Sequence, residues 1–134
     1  MTPTGAPGPF EGLLETCLYH DTAQRPAVER FYGEVLGLKP VQRYESGEVL
    51  FEAGGGTRIC LYPGPALHAE HTLASFSVDN LEAEMKTLEA RGVVFEDFDL
   101  PDLKTVNHIS SSPEGKCAWF RDPEKNYLCL NQRK

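Results

Sequence analysis

Two cysteines stand in closely matching surroundings far apart in the chain: Cys60 in TRICLYP and Cys129 in NYLCLNQ. Each lies between apolar residues on what reads as the closing strand of a hairpin. Either the chain repeats itself and the thiols fill one slot twice, or they converge on one point to do chemistry; the two readings are compatible. Cys17 and Cys117 complete a set of four cysteines with no C-x-x-C pair, all in strand-like segments with apolar neighbours. That is the setting of buried free thiols that pack as small hydrophobes. Other reactive types occur in FDLPDLKTVNHISSSPEG (98–115), which is long and polar for a connection inside a compact domain and so reads as a lid or binding loop. Its Lys104 and His108 are candidates for ligand contact, or else exposed loop-tip residues. Trp119 and Tyr19 can line a flat aromatic binding surface, or fill the core.

The elements that must position these residues follow from periodicity. GLLETCLYHD reads as a strand, and Arg25-Pro26 after it as a helix start. Val28, Phe31, Tyr32, Val35 and Leu36 then fall on one helical face until Gly37 stops it. LKPVQRYE, GEVLFEAG and GTRICLYP are expected as strands, the last two joined through the glycine turn Gly54-Gly55-Gly56. The order then recurs. HTLASFSVD is a strand, Asp79 is placed to cap a helix with Glu82 three residues on, and Leu81, Met85 and Leu88 share a face before Gly92. VVFEDF, GKCAWF and NYLCLNQ follow as strands. Phe51 to Leu61 and Phe120 to Leu130 have equal length, so the hairpins align without a gap and Cys60 falls on Cys129. The expectation is one α+β domain over 11–134, made of two βαβββ modules at about 11–65 and 69–134, behind a Gly- and Pro-rich disordered arm over 1–10.

With 134 residues, 40% hydrophobic and 25% charged, the chain can bury one core. No apolar run is long enough to cross a membrane, and the start lacks the apolar centre of a signal peptide, so a soluble cytoplasmic protein is expected. A net charge of -7 without a basic cluster argues against nucleic acid as partner.

The stretches ERFYGEVLGL (29–38), FSVDNLEAEMKTLEARGVVF (76–95) and AWFRDPEKNYLCL (118–130) resemble the vicinal oxygen chelate superfamily, which includes glyoxalase I, bleomycin-resistance proteins and extradiol dioxygenases. RGVVFEDFDLPDLKT (91–105) is similar to a stretch in small glyoxalase-like proteins. The resemblance implies a cup-shaped mixed sheet with helices outside, a small-molecule ligand in the concave face, and a homodimer. Metal-using members carry ligands on the first and last strand of each module, and those slots correspond here to Glu15, Cys60, Leu73 and Cys129. Leu73 cannot bind a metal, and the nearest imidazole is His71. No resident cofactor is therefore expected. A divalent metal remains the alternative, held by Glu15, Cys60, His71 and Cys129 as an O, S, S, N set suited to zinc or a softer ion. On an inward strand face Glu15 could instead act as a general base; equally it could pair with Arg58 or Arg43, or sit near the open rim and stay solvated. Two functions stay open at this level: a metal-free small-molecule-binding protein, or a lyase or isomerase using Glu15.

Overall fold

The computed structural model describes residues 15–65 and 70–134; the expected arm over 1–10 lies outside them. The first module runs β1 (Glu15–His20), a 3-10 turn (Thr22–Gln24), α1 (Arg25–Arg30) widening into a π-helical turn (Phe31–Val35), then β2 (Lys39–Arg43), β3 (Val49–Glu52) and β4 (Arg58–Pro63). The second runs β5 (Thr72–Ser77), α2 (Leu81–Ala90), the short strands β6 (Asp99–Leu100) and β7 (Leu103–Lys104), then β8 (Ser110–Ser112), β9 (Gly115–Arg121) and β10 (Tyr127–Arg133). Two four-stranded sheets result, in the orders β1-β4-β3-β2 and β5-β10-β9-β8. In each, the first strand lies parallel to the last and the others pair antiparallel. This is the expected pair of βαβββ modules in an α+β fold.

The repeat extends to register. Phe51 faces Ile59 in the first hairpin and Phe120 faces Leu128 in the second. Cys60 and Cys129 are each the third residue of their module's last strand, so one slot is filled twice. In both modules the alternation sends the residues on either side of the cysteine inward, Ile59 and Leu61 in one and Leu128 and Leu130 in the other.

Local chemistry sets the helix ends. Asp21 accepts from the backbone N–H of Ala23 at 2.9 Å before α1, and Gly37 takes the left-handed φ of 75° after the π turn. The expected cap of α2 by Asp79 is corrected: Asn80, one residue later, accepts from Ala83 N at 3.1 Å. Leu81, Met85 and Leu88 are buried along one face of α2, as their spacing requires.

The modules share one core. Val28, Tyr32, Phe51 and Leu61 pack in the same cluster as Leu81, Phe95, Phe120 and Leu128, each side chain contributing about 1.5–3 kcal/mol relative to exposure. A polar tie crosses the same boundary. The buried Tyr32 hydroxyl donates to Asp122 Oδ2 at 2.6 Å, and Asp122 also accepts from Glu124 N, Asn126 N and Asn126 Nδ2 at 2.9, 2.9 and 3.0 Å.

One expectation about the second module does not hold. Residues 93–98 form no strand; they contribute one bridge, Phe95 to Phe120. Val93 and Phe95 are buried while Val94 is 75% exposed, so the period of a strand is present without its ladder. The ladder position is taken by Ser110–Ser112, which pairs with β9. The segment over 98–115, expected as a lid or binding loop, is folded as the β6–β7 hairpin and an edge strand. No helix among the described residues is long and apolar enough to cross a membrane.

Candidate functional site

On β9 and β10 the residues that alternate with the core positions point away from the helices: Trp119 and Arg121 on one strand, Tyr127 and Cys129 on the other. Trp119 is held at its edge, its Nε1 donating to Thr72 Oγ1 of β5 at 3.0 Å. Phe98 stands edge-on to Trp119, with ring centroids 5.6 Å apart at 85°, and lies 6.2 Å from the Tyr127 ring. The Arg121 guanidinium sits 4.2 Å above the Tyr127 ring, hydrogen-bonds its hydroxyl, and places Nε 3.0 Å from Glu96 Oε1. With Leu100 and Leu103 from the β6–β7 hairpin, and Glu70 and Lys125 at the margin, these side chains enclose a cavity of about 570 Å³. That volume suits a small organic ligand.

Phe98, Leu100 and Leu103 reach the cavity because Asp97 folds the segment back. Its Oδ1 accepts from Thr105 Oγ1 at 3.0 Å and from His108 N at 3.1 Å, and its Oδ2 lies 2.9 Å from His108 Nδ1. Thr105 also receives the N–H of Phe98 on its hydroxyl and donates its own N–H to Phe98 O, both at 2.9 Å. The turn passes through Asn107 and His108 at φ of 51° and 71°, a left-handed corner that costs non-glycine residues energy and that the Asp97 bonds offset.

Of the residues singled out in the sequence, Trp119 lines the cavity. Tyr19 does not; it stacks on Tyr62 in the first sheet at 4.4 Å, and its hydrogen bond, aided by desolvation, pushes the Tyr62 phenol up to about 12. His71 is exposed beside the cavity residue Thr72 without lining it, and Lys104 is exposed with Nζ 4.0 Å from Asp99 Oδ1. His108 contacts Asp97 within the loop and does not line the cavity. Glu15 is exposed at the start of β1 opposite Arg58, outside the cavity. The sequence reading missed Phe98, Arg121 and Tyr127. The strand alternation from Trp119 identifies Arg121, but Phe98 depends on how the loop folds.

The positions carried over as metal slots are not paired with one another. Cys60 lies opposite Cys17, not Glu15, and Cys129 lies opposite Ser75; Leu73 falls at the irregularity where Tyr127 pairs with Thr72 and Leu128 with Ala74. Burial pushes the Cys60 thiol up to about 11 and the Cys129 thiol up to about 12. Among the described residues no three His, Cys, Asp or Glu side chains group as ligands, and Glu15, Cys60, His71 and Cys129 are not brought together. This donor set does not fit the divalent metal that the resemblance implies.

A sequence model of the glyoxalase/bleomycin resistance protein/dioxygenase superfamily matches residues 25–130. A search of curated proteins finds no match. Among solved structures, a protein assigned to the glyoxalase family from Bacillus anthracis superposes with a TM-score of 0.75 at 17% identity, covering 96% of this chain and 100% of that one. A lactoylglutathione lyase from Agrobacterium tumefaciens gives 0.66 at 23% identity, covering 92% and 95%. TnmS3, an antibiotic binding protein from Streptomyces sp. CB03234, gives 0.64 at 21% identity, covering 93% and 99%. At these identities the structural likeness establishes the fold. The family match, which spans most of the chain and both modules, shows that the protein belongs to the glyoxalase/bleomycin resistance protein/dioxygenase superfamily.

Proposed function

We propose that the protein binds a small organic molecule with a flat aromatic part, held in the cavity over Trp119 without a chelated divalent metal. The observation that carries this reading is the convergence of Trp119, Phe98 and Tyr127 with Leu100 and Leu103 on one slot. Rings in that arrangement accept a planar ligand by stacking and edge contacts, and the leucines cover its other face. Lys125 at the margin has no ion-pair partner among the described residues and can receive an acidic substituent. The antibiotic-binding neighbour on the same fold supports a binding role. The alternative, a lyase or isomerase with Glu15 as base, would place the substrate on the first sheet, where Glu15 is exposed beside Arg58.

Trp119 is the chain's single tryptophan, so its fluorescence reports on the cavity without labelling. Titration with a panel of planar aromatic acids and quinones should give saturable quenching for at least one compound, weakened at least about tenfold by Leu103→Arg. Absence of saturable quenching across the panel, or equal quenching in wild type and Leu103→Arg, overturns the assignment. We propose a homodimer as the assembly, in keeping with exposed Val94, Leu100 and Val106. Light scattering that returns the mass of one chain at micromolar concentration refutes it.

A further inference from the structure

The β1–β4 ladder sets Cys17 directly opposite Cys60, with Tyr19 opposite Tyr62 two residues on. Residues in register on neighbouring strands point to the same face, and the 4.4 Å contact between the two tyrosine rings shows that side chains in this ladder touch. Adjacent strands lie about 4.8 Å apart, inside the Cα separation that a disulfide spans without moving the backbone. One member of the pair is open to solvent and the other is not: Cys17 is exposed and Cys60 is buried. The remaining cysteines differ in this respect, since Cys129 is buried and faces Ser75, and Cys117 is half-buried.

We propose that Cys17 and Cys60 form a redox-active dithiol, a modification site in which a hydroperoxide oxidises Cys17 and Cys60 resolves the product to an intrachain disulfide. In the first step the Cys17 sulfur attacks the distal peroxide oxygen; the O–O bond breaks, the alcohol or water leaves with a proton, and Cys17 becomes a sulfenic acid. In the second step the Cys60 sulfur attacks the sulfenic sulfur, the S–O bond breaks, and water leaves with the Cys60 proton. The pair loses two electrons, which the peroxide takes up. Exposure decides the order, because an oxidant reaches Cys17 and not Cys60. Cys60 is a weak nucleophile, its thiol pushed up by burial and by the neighbouring Cys17, but it is held beside its target and competes with no dissolved thiol for position. The bond ties the first strand of the module to the last, on the sheet that does not carry the aromatic cavity.

The test treats the full chain with hydrogen peroxide and follows intact mass, thiol count after denaturation and peptide mapping. Wild type and Cys117→Ser should each lose two thiols and about 2 Da, with the cross-link mapped to Cys17 and Cys60. Cys60→Ser, which removes little volume, should halt at the sulfenic acid and take up dimedone at Cys17. Cys17→Ser, an exposed change that leaves the core untouched, should keep all three remaining thiols. A cross-link that maps to Cys117 and Cys129 or joins two chains overturns the proposal. So does dimedone uptake at Cys17 in wild type equal to that in Cys60→Ser.

Discussion

Replacing Tyr32 by phenylalanine probes how the two modules are held together. The side chain is fully buried, and its hydroxyl donates to Asp122 Oδ2 at 2.6 Å from an element 90 residues away in sequence. The ring stays in Tyr32→Phe, so its packing against Phe31 and Phe51 survives and no sizeable void opens. Asp122 keeps three of its four donors, the backbone N–H groups of Glu124 and Asn126 and the Asn126 amide, so the turn between β9 and β10 keeps its shape. What is lost is one buried hydrogen bond to a charged acceptor, about 2 kcal/mol. With a urea slope of about 2 kcal/mol/M for a chain of this size, the midpoint should fall by about 1 M with the slope unchanged. Asp122→Ala removes all four bonds and should cost more. In a double-mutant cycle with Tyr32→Phe, the coupling should come out at about 1.5–2 kcal/mol. A loss below about 0.5 kcal/mol for Tyr32→Phe, or a coupling near zero, would refute the view that this hydrogen bond joins the modules.

Further outcomes follow from the same geometry. Gly115 has φ of 145°, and a Cβ there would lie 2.2 Å from Gln132 O; Gly115→Ala should cost about 3 kcal/mol or more by chemical denaturation, and a neutral result contradicts the packing of β9 on β10. Burial, then the Asp122 charge, raises the Tyr32 phenol well above its ordinary 10.0, and burial raises the Cys60 and Cys129 thiols above 9.0 to about 11 and about 12. As pH rises past these ordinary values the unfolded chain releases protons that the folded one keeps. Stability is therefore full below about pH 9 and declines above it, and Tyr32→Phe should decline less steeply between about pH 9.5 and 11 when urea midpoints are compared. Thr72→Val removes the acceptor of Trp119 Nε1 and should shift the tryptophan emission and weaken ligand quenching while lowering stability by about 1 kcal/mol. Cys129→Ala should cost about 1–2 kcal/mol and leave ligand quenching intact, since its thiol lies outside the aromatic cavity.

The repeat was legible because hairpin length is discrete: two segments with equal spacing between Phe51 and Ile59 and between Phe120 and Leu128 must close in the same register. Burial alternation likewise reads directly from Ile59 and Leu61. Legibility ends where pairing is decided by distant partners. Val93 and Phe95 have strand period, but the position beside β9 is occupied by Ser110–Ser112, residues with little preference for strands of their own. The π turn in Phe31–Val35 was invisible for a related reason. The apolar face it presents matches an ordinary helix, and the widening shows in bonds such as that from Leu36 N to Phe31 O. At the site, Trp119 was visible in the sequence only as a residue that could line a surface or fill the core, and its neighbour Phe120 takes the core side. Phe98 and Leu103 were not legible, because their place depends on Asp97 gathering Thr105 and His108 from later in the chain. The slots carried over by resemblance could not show in the sequence whether their side chains gather, because that depends on register: two residues separate Glu15 from Cys17, the residue that meets Cys60.

The pairing of first strand with last has a consequence for synthesis. Glu15 has no ladder partner until Arg58 exists, and Thr72 none until Tyr127 exists. At about 5–20 residues per second, β1 waits for several seconds at the ribosome with its edge unpaired, and β5 waits again later. The second sheet and the aromatic cavity it carries can close only once Tyr127–Arg133 has emerged. Nascent chains of this protein should depend on a holding factor at that stage more than the finished fold's stability would indicate.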